Sequence, residues 1–213
     1  MNGYSDRINH ALAFAAKHHD QQVRRGTRLP YVTAASNVAV ILTRYARDDD
    51  TVVSGILRDV VHDYVRDGLS PDMLDARIGD KFGQPVLAAL LRIVERRHDE
   101  HGVELSADER RADLLDRVAT ADERGRWVMA ASVSHAAGTL LADLSRTEFP
   151  RTVWGQLVDG REETLQWFRG VHNRLDAAGF DAPIMAELGG MLDKLERLAN
   201  ETKRGGGHAS TAR

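Results

Sequence analysis

The sequence predicts an all-α fold, a single compact bundle of about eight or nine helices. Three observations carry this expectation. Apolar residues recur at helical spacing along most of the chain, helix-start signals precede those runs, and no segment shows the strict alternation of a half-buried strand. At 213 residues the chain is long enough to bury a substantial core within one domain.

The elements follow in order. Ser5 caps a first helix whose Ile8, Leu12 and Ala15 share a face. Residues 20 to 32 read as a polar, basic loop broken by Gly26 and Pro30. A second helix covers Ala34 to Tyr45. A third starts at Asp49 or Asp50 and buries Val53, Ile56, Leu57 and Val60. Ser70-Pro71 opens a fourth, and Gly83 stops it. Pro85 opens a fifth through Arg96, and residues 97 to 105 read as a loop. Ser106 with Glu109 forms a capping box for a sixth. Trp127 to Leu144, Val153 to Ala178 and Ala182 to Thr202 complete the set. The last repeats Leu188, Leu192, Leu195 and Leu198 on one face. The domain is expected to span residues 1–203, with 204–213, including three consecutive glycines, as a disordered tail.

Composition narrows the function classes. The hydrophobic fraction is 42% and the charged fraction 29%, ordinary for a globular protein. A net charge of −3 gives no basic field for nucleic acid or an anionic membrane. The absence of cysteine removes disulfides, thiolate catalysis and thiolate metal sites, and fits a cytoplasmic location. The N-terminal residues lack a signal-peptide core, and no apolar run approaches the roughly 20 residues of a membrane span.

The most informative stretch is Ile56-Leu57-Arg58-Asp59-Val60-Val61-His62-Asp63. It resembles the signature helix of the HD hydrolases, Leu-Leu-His-Asp-Val-Val-Glu-Asp. Further anchors lie in the same order as in one branch of that superfamily. Ala13-Phe14-Ala15-Ala16-Lys17 leads to Gln22-Val23-Arg24-Arg25-Gly26-Thr27 and Leu29-Pro30-Tyr31-Val32-Thr33. Met129 to Leu144 resembles a later family helix, and Gly160-Arg161-Glu162 with Thr164-Leu165 and Trp167-Phe168 resembles its closing segment. Together they are similar to the RelA/SpoT-type alarmone hydrolases, the guanosine 3′,5′-bis(diphosphate) 3′-pyrophosphohydrolases. The resemblance implies an HD-domain fold and a metal-dependent phosphohydrolase ancestry.

It also implies where the ligands of a divalent ion, usually manganese, should fall. The two His positions are occupied by Ala34 and Arg58, the first Asp is kept as Asp59, and the distant Asp is Ser132. The acid–base Glu-Asp pair falls at His62 and Asp63. The family's Lys, its Asn after the later His and its Asn before Gly-Arg-Glu fall at Met129, Ala136 and Val158. Alanine and arginine cannot replace imidazole as donors, and one carboxylate supplies too few contacts to hold an ion. No metal and no other cofactor is therefore expected, and the family's metal-water hydrolysis is not expected to run.

What survives is polar and basic. Arg24, Arg25, Thr27 and Tyr31 keep the phosphate-side pattern, joined as substrate-binding candidates by Arg58, His135 and Arg161. Asp59, His62 and Asp63 are the catalytic candidates. Arg58 is expected to pair with Asp59 or Asp63, standing in for the missing cation, or else to point to solvent. His62 and Asp63 read either as a metal-free acid–base pair or as polar filling of the old cavity. His18, His19, His62 and His135 could form a replacement metal set or be ordinary packed histidines. The expected partner is a phosphorylated nucleotide or small anionic metabolite.

Three readings remain open: an inactive protein that still binds a ligand, an enzyme repurposed to metal-independent acid–base chemistry, and a hydrolase with unrecognised ligands. The first predicts a pocket filled by Met129 and Val158. The second predicts an open cavity on which Asp59, His62 or Asp63 converge.

Overall fold

The computed structural model describes residues 4–24 and 29–204. Its element order is α1 (Asp6–His18), α2 (Val32–Arg44), α3 (Asp49–Arg66), α4 (Pro71–Leu74 continuing through Asp75–Gly79 and Asp80–Phe82), α5 (Gln84–Ile93), α6 (Ala107–Ala119), α7 (Glu123–Ser145), α8 (Pro150–Gly155), α9 (Arg161–Ala177) and α10 (Pro183–Arg204). The middle of α4 is a π-helical turn. Among the described residues no strand forms; two isolated bridges, Val23 with Pro30 and His98 with Glu104, close the loops they border. Among the described residues no helix is long and apolar enough to cross a membrane.

The start signals act as their chemistry dictates. Ser5 Oγ accepts from the Ile8 amide, Ser70 Oγ from the Met73 amide, and Ser106 and Glu109 form the reciprocal capping box. Asp48, one residue before the expected start, caps α3 by accepting from the Thr51 amide. Gly83, at φ 106°, ends α4 as expected, since an L side chain would be strained there.

Among the described residues there are ten helical elements, against the eight or nine expected. The difference lies in the segment expected to run unbroken from Val153 to Ala178. Gly160 sits at φ 83° and breaks it into the short α8 and the longer α9. The apolar spacing continues across the break because both pieces face the same core, so periodicity alone does not show it.

α3 is the axis of the bundle. Thr51 through Leu57 are buried without interruption, and α3 packs against α1, α2, α5 and α7. Ile56, Leu57, Val60 and Val61 are fully enclosed, each worth about 1.5–3 kcal/mol relative to exposure. Gly55 allows α2 to approach: a Cβ there would lie 3.0 Å from Val38 Cγ1 and would collide with the side chain of Leu42. α7 is buried on several sides, lying between α3 and α10. Arg117 of α6 donates to the carbonyls of Leu91, Arg92 and Val94 and to Asp113, closing the C-terminal end of α5.

Candidate functional site

The signature octapeptide forms the middle of α3, and its residues divide between two surroundings. Arg58 and Asp59 line a cavity of about 330 Å³ bounded by α2, α3, α7 and α9. Ala34, Arg58, Asp59 and Ser132, the positions that the resemblance assigns to metal ligands, all line this one cavity. Ala34, the Arg58–Asp59 pair and Ser132 come from three different helices, so their convergence comes from packing of α2 and α7 on α3.

The geometry at its floor is explicit. Arg58 NH1 donates to Asp59 Oδ1 at 2.7 Å, with the two side chains only 20% and 25% exposed. The Tyr31 hydroxyl donates to Asp59 Oδ2 at 3.3 Å. The Asp59 carboxylate beside it, and then burial, push the Tyr31 phenol well above its ordinary range, so it stays protonated and keeps donating. Arg58 Nε is buried and has no partner. Phe168 and Leu157 supply apolar wall.

A second, outer cavity of about 760 Å³ is contiguous with the first, sharing Arg24, Tyr31, Ala34, His135 and Thr139. Its further lining mixes apolar Val40, Ile41 and Ala142 with polar Ser36 and Asn37 from α2, Ser134 and Asp143 from α7, and Arg146 at the end of α7. Arg24 NH2 donates to Asp143 Oδ2 at 2.8 Å across the mouth. Ser134 Oγ is buried and has no hydrogen-bond partner. Burial, and then the charge of Arg24, hold the His135 imidazole below its ordinary pKa, so it is neutral at pH 7.

Asp63 lies elsewhere. One turn beyond Asp59, it accepts from His18 Nε2 at 3.1 Å and from Gln22 Nε2 at 3.4 Å, and pairs with Arg66 NH1 at 3.0 Å. Burial raises its pKa, but these three partners outweigh burial and hold the carboxyl below the usual range. His19 Nδ1 bonds Gln22 Oε1 at 2.8 Å. His18, His19 and Asp63 offer donor atoms within 4.8 Å of one another. Arg66 already compensates that carboxylate, and Gln22 ties His19 to it, so the group is a hydrogen-bonded brace between α1 and α3.

The structure thus brings together Arg24, Tyr31, Arg58, Asp59 and His135, and leaves other expected site residues apart. His62 and Asp63 line neither cavity, because α2 and α7 cover the Asp59 side of α3 while α1 covers the Asp63 side. His62 Nδ1 is 3.9 Å from Asp63 Oδ1, and burial followed by Arg58 holds its pKa down. The expected His62–Asp63 acid–base pair therefore does not face a ligand. Arg161 also stands off: its guanidinium lies 5.9 Å over the Trp154 ring and 3.6 Å from Glu162. Arg25 and Thr27 fall outside the described residues. The four histidines do not assemble into one set, since His135 faces the cavities while His18 and His19 meet Asp63. Met129 is wholly buried in the core and Val158 is 76% exposed, so neither fills the inner cavity.

Residues that sequence reasoning missed are Ser36, Asn37, Ser134, Thr139, Asp143 and Arg146. A signal existed. His135, Thr139, Ala142 and Arg146 repeat at i, i+4, i+7 and i+11 along α7, one continuous face. A polar face of that kind is indistinguishable in sequence from one facing water.

The family model described as HD domain matches residues 11–176. The chain belongs to the HD domain family. The HD fold extends through solved structures. A metazoan orthologue of SpoT, which hydrolyses ppGpp and plays a role in starvation responses, superposes with a TM-score of 0.66 at 20% identity, over 91% of this chain and 98% of that one. The protein lmo0812 from Listeria monocytogenes EGD-e superposes with a TM-score of 0.61 at 23% identity, over 76% of this chain and 97% of that one. At such identities the similarity is one of fold. No curated protein matches the sequence.

Proposed function

We propose that this HD protein binds a small phosphorylated or otherwise anionic, nucleotide-like metabolite in the α2–α3–α7 cavity, without a resident metal and without the metal-water hydrolysis that the sequence resemblance implies. The observation that carries the reading is the Arg58–Asp59 pair. A guanidinium sits on the carboxylate that the resemblance assigns to the ion, 2.7 Å away. The rest of the set does not fit a divalent cation: Ala34 has no donor atom, and Ser132 offers one neutral hydroxyl. A second cation beside Arg58 would be repelled at close range in a partly desolvated site.

The same walls suit an anion. Arg24, Arg58 and Arg146 against Asp59 and Asp143 leave one excess positive charge, with His135 neutral. Guanidinium groups bind phosphate through paired, charge-assisted hydrogen bonds. Ser134 Oγ and Arg58 Nε are buried donors awaiting partners, and Ser36, Asn37 and Thr139 supply the convergent polar groups that orient a sugar or base. The SpoT orthologue's action on ppGpp makes a guanine nucleotide the first ligand to try. The reading takes residues 1–203 as one cytoplasmic domain.

One observation favours a second reading, a repurposed enzyme. His135, neutral and facing both cavities, is placed to take a proton from a bound hydroxyl, a role that His62 cannot fill from its position.

The test combines elemental analysis with calorimetry. The purified protein should hold no stoichiometric manganese, iron or zinc. Guanine or adenine nucleotides should bind, more weakly in raised salt and more weakly in Arg24→Ala. Manganese-dependent pyrophosphate release from guanosine tetraphosphate by the unmodified protein would overturn the reading. Turnover of a phosphorylated metabolite that is insensitive to chelator and lost in His135→Gln would favour the second one.

A further inference from the structure

A separate cleft of about 540 Å³ opens where α1 meets α4, lined by Phe14, Lys17, His18, Tyr64, Arg77 and Lys81. It shares no residue with the HD cavities. Its lining holds three permanent cations and no carboxylate. In the HD cavities the two inner arginines each carry an aspartate partner. Here, among the described residues, none of the three cations has one. Asp63 lies behind His18, bonded to its Nε2, and is itself compensated by Arg66.

Two of the three cations lie over aromatic faces instead. The Arg77 guanidinium stands 5.4 Å over the Tyr64 ring, and Lys81 Nζ 5.2 Å over the Phe14 ring. Such contacts position a cation without neutralising it, since a ring quadrupole carries no net charge. Arg77 also sits in the π-helical turn Asp75–Gly79. Turns of this type are rare and recur at functional sites. This one is pinned, because the Gln84 amide donates to the Asp75 carboxylate across it. A Cβ on Gly79 would meet both of these side-chain ends and push them aside.

We propose that this α1–α4 cleft is a second ligand site, built to take the polyphosphate chain of a small molecule. Three uncompensated cations call for several clustered negative charges, which a di- or triphosphate supplies and a monoanion does not. Arg77 can bond phosphate oxygens in pairs, while Lys17 and Lys81 act as point charges. The concave walls suit a small molecule, whereas a surface for nucleic acid or membrane would present a flat or ridged basic face. The C-terminal end of α1 opposes anion binding with about half a charge, which three full charges outweigh. The chain carries a net charge of −3, so this concentration of positive charge is local.

The test is calorimetry of the full-length protein with tripolyphosphate, at low and raised salt, alongside ATP and GTP. Tripolyphosphate should bind, and its affinity should fall by about tenfold or more in Lys17→Gln/Arg77→Gln/Lys81→Gln, since each lost cation removes charge-assisted bonds. Thermal unfolding of the triple variant should match the parent, because all three side chains are exposed. Arg24→Ala should leave tripolyphosphate binding intact while weakening the HD-cavity ligand, so failure of one reading is distinguishable from failure of the other. ATP or GTP binding as tightly as tripolyphosphate assigns recognition to the phosphate chain alone; tighter binding adds a contact to the nucleoside. An undetectable heat, an affinity unchanged in the triple variant, loss of binding in Arg24→Ala alone, or retention on anionic vesicles without affinity for tripolyphosphate each overturns the proposal.

Discussion

Two clefts flank α3 and differ in how their cations are held. In the HD cavity Arg58 rests on Asp59 and Arg24 on Asp143, so the inner arginines are charge-compensated and partly buried. In the α1–α4 cleft Arg77 and Lys81 rest on aromatic rings and stay uncompensated near water. Burial explains the difference. A cation taken out of water needs a carboxylate to offset its lost hydration, whereas an exposed one keeps its hydration and can lean on a ring at little cost. The first arrangement makes arginine part of the stability of the fold. The second leaves charge available for a ligand.

The largest effect should come from undoing the first arrangement altogether. Ala34→His with Arg58→His and Ser132→Asp should convert a chain with no bound manganese into one holding about one equivalent, since metal affinity builds only when the full ligand set is present. Each single substitution should hold none. A triple variant that stays metal-free would show that the cavity has lost more than its donors.

Next in size is Arg58→Ala. It strands Asp59 with Tyr31 as its one remaining partner. Side-chain exposures of 20% and 25% place the pair between the buried and surface limits. A loss of about 2 kcal/mol is expected, or roughly 4–8 °C in Tm for a chain of this size. Arg58→Met with Asp59→Leu should recover most of it, because removing both charges leaves neither unpaired. Arg77→Gln, by contrast, should leave Tm unchanged. Equal melting temperatures for Arg58→Ala and Arg77→Gln would erase the distinction drawn between the clefts.

The pH dependence of stability should separate Asp63 from both clefts. Its folded pKa is lowered, since His18, Gln22 and Arg66 outweigh burial. Its contribution is therefore present above the unfolded pKa of about 3.9 and lost as pH falls through the lower folded value. Asp63→Asn should cost stability at neutral pH and flatten the acid limb of a chemical-denaturation series. The His135 shift acts in a different window. With its folded pKa held below the ordinary value of about 6.5, the unfolded chain takes up the proton first. Stability should fall as pH drops through 6.5, and His135→Gln should reduce that fall. A slope between pH 7 and pH 5 identical in the two proteins would mean that His135 is hydrated.

Arg24→Ala should cost less stability than Arg58→Ala. Its pair with Asp143 is about one-third exposed and worth about 1 kcal/mol or less. Its effect should appear in ligand affinity and salt dependence instead, measured by calorimetry with the nucleotide that binds.

How much of this was legible varies residue by residue. Ser5, Ser70-Pro71, Gly83 and the Ser106–Glu109 box gave helix boundaries directly, because capping is a local event between side chain and neighbouring backbone. Arg58 could be assigned a carboxylate partner for the same reason, since Asp59 is its neighbour in sequence. The break at Gly160 was missed because both flanking helices feed one core and keep one periodicity. His62 and Asp63 were expected in the cavity with Asp59 because the resemblance places an acid–base pair at these positions. Which neighbouring helix covers which turn of α3 decided otherwise.

The sequence by itself determined the helical class and the family, and it places Ala34, Arg58 and Ser132 where the resemblance expects metal ligands. Periodicity, caps and side-chain chemistry are properties of residues and their near neighbours. Only the tertiary structure decided that Ala34, Arg58, Asp59 and Ser132 share one cavity and that Arg24 reaches Asp143. It also decided that Lys17, Arg77 and Lys81 meet without a carboxylate among them. These are contacts between helices far apart in the chain, set by how apolar faces pack together. No local pattern encodes which polar groups that packing leaves side by side.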